Sequence, residues 1–178
     1  MIEPARRQRL AGQALFAALF LAILFWRLLP LPLAPGRAAW PGPDLGLCLA
    51  LLWVLRRPQN LPVLTVALLF LVADVLLMQP IGLGAAIAVI GTEAARTREQ
   101  RWRQLPFMVE WLRVAILLAL MMLTNRFLMS VTFLPLPALG MVIVHYLATV
   151  AVYPPLAGLC AWALGLRRNP AERAPGHG

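Results

Sequence analysis

Charge is what this sequence has least of. Only 13% of its 178 residues are Asp, Glu or Arg, and lysine is absent altogether, where a soluble domain carries roughly 25% charge and about 45–50% apolar residues. With 61% hydrophobic residues and a mean hydropathy of +0.78, the chain has more apolar surface than a water-soluble fold of this length hides, and that class is excluded. Cysteine is scarce too. Cys48 and Cys160 fall in separate hydrophobic runs, without a CxxC or a Cys/His cluster at zinc-ligand spacing, so neither disulfide nor metal is assigned. The chain also lacks GxGxxG, a Walker lysine, HExxH and GxSxG, which reads as a non-enzyme without a cofactor.

What the chain does have is a series of apolar runs, at 10–26, 44–55, 61–78, 81–95, 107–128 and 138–166, divided by Pro-, Gly- or Arg-rich breaks. These predict an all-α integral membrane protein: about six transmembrane helices in one bundle, a single domain over 1–178. A crossing takes about 20 residues, so the second and fourth runs are short. They either sit inside the bundle or borrow flanking polar residues. Arg6, Arg7 and Arg9 ahead of the first run resemble a signal peptide in outline, but the run continues to Trp26 with no small-residue cleavage site, which favours a retained helix.

A net charge of +9, carried by sixteen arginines, raises the question of nucleic acid. The arginines stand between apolar runs, so membrane topology explains them better, and no nucleic-acid partner is expected. Short cytoplasmic loops collect basic residues. With both termini inside, the inner segments hold the terminal arginines together with Arg56, Arg57, Arg96, Arg98, Arg101 and Arg103, twelve of the sixteen. If the short second run did not cross, Arg56 and Arg57 would share a side with the arginine-free tract 127–138. The basic loop 96–103 is either a topology determinant or a contact for anionic lipid heads or a cytoplasmic partner. Trp26, Trp40, Trp53 and Trp102 fall near predicted helix ends, as interfacial anchors do.

Polar groups inside a membrane are costly, and they are the first place to look for function. Asp74, Glu110, Arg113, Asn125, Arg126 and His145 are the candidates. Asp74 lies about 7 Å below the outer turn at Gln79–Pro80, and His145 about 10 Å in from Ala138, at 1.5 Å per residue. Asn125 and Arg126 stand near the outer end of the fifth helix. Asp74 is therefore expected to pair with Arg126 or to hydrogen-bond His145, as a clasp between helices. Glu110 and Arg113 are neighbours on one helical face. Ala157, Ala161 and Gly165 recur every four positions and permit close helix approach, and Pro154–Pro155 should kink the last helix.

Residues 40–90 carry a resemblance. Pro43–Asp44–Leu45 opens a helix, Arg56–Arg57–Pro58 marks an inner turn, and Asp74 precedes Gln79–Pro80–Ile81–Gly82–Leu83. This pattern resembles the rod shape-determining MreD family of bacteria, with total length, six-run hydropathy and the basic carboxy terminus also in keeping. Gly84 departs from it, standing where a histidine or other larger residue often appears. The resemblance implies a multi-pass protein of the bacterial inner membrane, similar in helix arrangement to the S-components of energy-coupling vitamin transporters. It implies a scaffold for MreC that couples MreB filaments to peptidoglycan synthesis, with RodA and a penicillin-binding transpeptidase in the wider complex. Asp44 and the Asp74–Gly82 stretch, including Gln79, Pro80 and Gly82, carry over as structural or partner-contact residues. The rival expectation is a small-molecule-binding or transport subunit.

Overall fold

The computed structural model describes residues 3–29, 42–97 and 106–163. Among these, every regular element is helical: α1 (Glu3–Leu28), α2 (Leu45–Arg56), a single 3-10 turn (Pro58–Asn60), α3 (Val63–Leu76), α4 (Leu83–Arg96), α5 (Phe107–Val131) and α6 (Leu139–Ala163). The six α-helices fall on the six apolar runs. Three of them, α1, α5 and α6, are long and apolar enough to cross a membrane. The 25 residues of α5 and of α6 extend about 38 Å, past the ~30 Å hydrocarbon thickness of a bilayer. α2, α3 and α4, with 12, 14 and 14 residues, reach only about 18–21 Å.

Length also sorts burial. α2 is buried without interruption from Gly46 to Leu55. It is apolar on every side, so it has no polar face to offer water and sits at the centre, packed against α1, α4 and α6. Aromatic contacts dock α1 onto this centre: Phe16 meets Trp53 edge-on with ring centroids 5.5 Å apart, and Phe20 meets Phe70 at 4.9 Å. Here the structure corrects the sequence reading, which assigns Trp53 to an interface. Trp53 is 1% exposed, because α2 is enclosed along its whole length, whereas Trp26 remains on the surface.

α5 and α6 are joined by side chains that bond each other's backbone carbonyls. The two prolines inside α6, Pro154 and Pro155, remove helical N–H donors, and Pro154 leaves the Val150 carbonyl without its usual partner one turn earlier. The Trp111 indole N–H on α5 donates to that carbonyl at 3.0 Å. One turn away, the Tyr146 hydroxyl on α6 donates back to the Ala115 carbonyl at 3.1 Å. The helix continues through both prolines. Ala157 is buried as close packing requires, while Gly165 lies outside the described residues.

α3 and α4 form a tight antiparallel pair. After α3 the chain enters the left-handed region at Met78 (φ +52°), and the Gln79 N–H reaches back to the Asp74 carbonyl at 2.9 Å, which closes the helix as a Schellman-type cap. Phe133 (φ +53°) repeats this after α5, with the Leu134 N–H on the Met129 carbonyl at 3.0 Å. Gly82 follows at φ +86°, a conformation for which glycine pays no Cβ penalty, and α4 begins.

Candidate functional site

The first turn of a helix leaves four backbone N–H groups without helical partners. In α4 the capping position is Gly82, which has no side chain to accept from them. Asp74 supplies the acceptor from the preceding helix: its Oδ2 takes the N–H of Gly82 at 3.0 Å and that of Ala85 at 3.1 Å. Asp74 is 2% exposed, and the positive end of α4 faces its charge. The pairing with Arg126 or His145 expected from the sequence is therefore not made. Backbone amides eight and eleven residues downstream meet the need instead.

Those two residues have partners of their own. Arg126 donates to the Pro137 carbonyl at 2.8 Å, tying the end of α5 to the loop before α6. The His145 ring bonds the Gly42 carbonyl through Nδ1 at 2.7 Å. A carbonyl can only accept, so Nδ1 carries the proton. Asp44 caps α2, its Oδ1 accepting the Leu47 N–H at 3.1 Å, and faces Arg27 of α1 at 3.9 Å. Its own N–H donates to the Thr149 hydroxyl at 3.1 Å, and that hydroxyl donates in turn to the His145 carbonyl at 2.7 Å. α1, α2 and α6 thus meet in one chain of polar contacts.

All six helices border a cavity of about 410 Å³ at this end of the molecule. Asp44, Asp74, Gln79, Pro80, Arg126 and His145 line it, and Gly82 does not. Sequence reasoning brought Asp74, Asn125, Arg126 and His145 to one depth, but as site residues it missed Thr149, fully buried at the hub, and Arg27. Thr149 stands four residues after His145, one turn along the same face, and that spacing was the available signal.

A second polar cluster lies at the opposite end of α3. Arg56, read from the sequence as a cytoplasmic loop arginine, is drawn inside: its Nη2 lies 3.4 Å from Glu110 Oε1, with the two side chains 8% and 4% exposed. The Tyr153 hydroxyl donates to the same oxygen at 3.2 Å. Glu110, taken from spacing as the neighbour of Arg113, therefore also bridges α2, α5 and α6. Arg96 ion-pairs with Glu93 at 3.0 Å and donates to the Leu61 carbonyl, and Arg57 is exposed. Arg98, Arg101 and Arg103 lie outside the described residues. Among the described residues, no group of three or more His, Cys, Asp or Glu side chains is placed to hold a metal ion.

No family model, curated protein or solved structure matches the chain.

Proposed function

We propose that this chain is a non-enzymatic membrane component of the bacterial cell-elongation machinery, of MreD type, which holds an MreC-like partner and couples MreB-like filaments to peptidoglycan synthesis. Support comes from one observation above the rest. The most distinctive piece of the resemblance, Asp74 with Gln79–Pro80–Ile81–Gly82–Leu83, makes up one clasp between α3 and α4, with the carboxylate bound by two backbone amides. A carboxylate held this way fixes the shape of a helix pair, which suits a protein whose work is packing against others.

The proposal carries a topology. Six crossings of the inner membrane with both termini inside agree with the arginine distribution and with three helices of spanning length. The short α2 to α4 would cross within the protein, in an arrangement similar to vitamin-transporter S-components. RodA-like and transpeptidase partners belong to the same reading.

Co-purification from membranes tests it. A stable complex with an MreC-like protein is expected, and depletion should give rounded cells. Unaltered rods after clean deletion would overturn the reading. The rival, a small-molecule-binding or transport subunit, has the cavity bordered by all six helices in its favour, and a vitamin-like ligand retained through purification would support it.

A further inference from the structure

The cavity changes character with depth. Toward the end of the molecule it is lined by Arg27, Asp44, Asn125 and Arg126; further in, its walls are Phe20, Phe70, Ile87 and Met121. Helix register gives the scale: Phe20 lies seven residues, or about 10 Å, below Arg27 along α1, and Met121 five residues, or about 7 Å, below Arg126 along α5. Four methionines line the cavity, Met121, Met122, Met129 and Met141, and such unbranched thioethers adapt to irregular apolar guests. The volume is that of a small-ligand site.

The polar rim carries two arginines and two aspartates, and its donors are in surplus. Arg27 faces Asp44, Asp74 is taken up by the two amides of α4, and His145 is engaged with the Gly42 carbonyl. Arg126 uses one donor on the Pro137 carbonyl, and among the described residues no carboxylate lies within ion-pair distance of it. A guanidinium has five N–H donors. Beside it stands the Asn125 amide, which also lines the cavity.

We propose that this cavity binds one acyl-chain amphiphile, its anionic head, a phosphate or a carboxylate, against Arg126 and Asn125 and its chain running inward toward Met121. The apolar depth has no polar partner to offer a compact vitamin, and an apolar cavity does not hold water well, whereas an alkyl chain fits both. The inference does not depend on the cell-elongation reading, since it rests on the cavity and its charges alone.

Native mass spectrometry of the full chain in a neutral detergent would test it, with palmitate, phosphatidylglycerol and uncharged hexadecanol as probes. One palmitate or one phosphatidylglycerol should be retained per chain, and which of the two persists identifies the head as carboxylate or phosphate. Arg126→Gln should weaken the anionic probes about tenfold or more while leaving hexadecanol almost unchanged, and Arg126→Lys should restore part of the loss. Ile87→Trp, on the deep apolar wall that α4 contributes to the cavity, should weaken all three, with a melting temperature close to the parent confirming that it folds. Equal retention by parent and both cavity variants would mean lipid on the outer surface only, and would overturn the proposal. So would an Arg126→Gln loss that is the same for hexadecanol, or no stoichiometric binding of any probe.

Discussion

Asp74 and Gly84 stand so close that the carboxylate occupies the space a side chain at position 84 would need: a Cβ built on Gly84 would collide with Asp74 Oδ1. The glycine at this position thus has a local physical consequence, which is room for the Asp74 cap to seat on α4.

Two substitutions follow from that contact. Asp74→Ala should cost about 2–3 kcal/mol, because two amides in apolar surroundings lose their acceptor. Gly84→Ala should cost about 1–3 kcal/mol by crowding the carboxylate, and the cost should shrink or change sign when Asp74 is already alanine, where alanine's helix propensity prevails. Thermal unfolding in detergent of the two single variants and the double variant measures the coupling. Additive effects would contradict the contact.

At the other end of α3, removing one partner of a buried ion pair strands the other. Glu110→Ala is expected to destabilise by about 3–5 kcal/mol, and Tyr153→Phe by about 1 kcal/mol, since it deletes a single hydrogen bond. Replacing Arg56 and Glu110 together with methionine and leucine should be far milder than Glu110→Ala alone. Unfolding midpoints of the three variants check this order.

The indole of Trp111 takes up an acceptor that Pro154 leaves open. Trp111→Phe should therefore cost about 1 kcal/mol in the parent chain. In a Pro154→Ala background the helix supplies its own donor to the Val150 carbonyl, and the same change should cost less. A double-mutant cycle reads the difference directly.

Met78 and Phe133 close α3 and α5 in the left-handed region, where a side chain costs about 1 kcal/mol that glycine avoids. Both are almost fully exposed, at 95% and 96%, so neither recovers the cost by packing within the chain. Met78→Gly and Phe133→Gly are each expected to raise stability by about 0.5–1 kcal/mol, visible as a higher midpoint. Under the partner-holding proposal, the same variants should recover less partner on co-purification.

Much of this was legible in the sequence, and the reason is period and length. Runs such as 107–128 exceed what a soluble helix buries, so their helical state and rough bounds follow from hydropathy alone, and Pro43–Asp44–Leu45 announces the start of α2 by cap chemistry. The depth of Asp74, Arg126 and His145 was legible for a similar reason, since rise per residue is fixed. Their partners were not. Side chains were matched with side chains, whereas α4 opens on a glycine and offers its amides to Asp74, and Arg126 and His145 turn to the backbone carbonyls of Pro137 and Gly42. The partner of Arg56 was not legible either, because a basic residue next to a helix end looks the same in sequence whether it points to water or to a glutamate on α5.

The enclosure of α2 bears on biogenesis. In the membrane that the proposal calls for, the twelve residues of α2 cover only part of the hydrocarbon thickness by themselves, and this segment meets almost nothing but protein. It is a poor unit for independent insertion, and it must be handed from the insertion machinery to α1 and the helices that follow rather than released into lipid. The order of synthesis would then matter: a ribosome that stalls before α4 and α6 emerge leaves this enclosed apolar segment with no berth, and such truncated products should be prime substrates for membrane quality-control proteases.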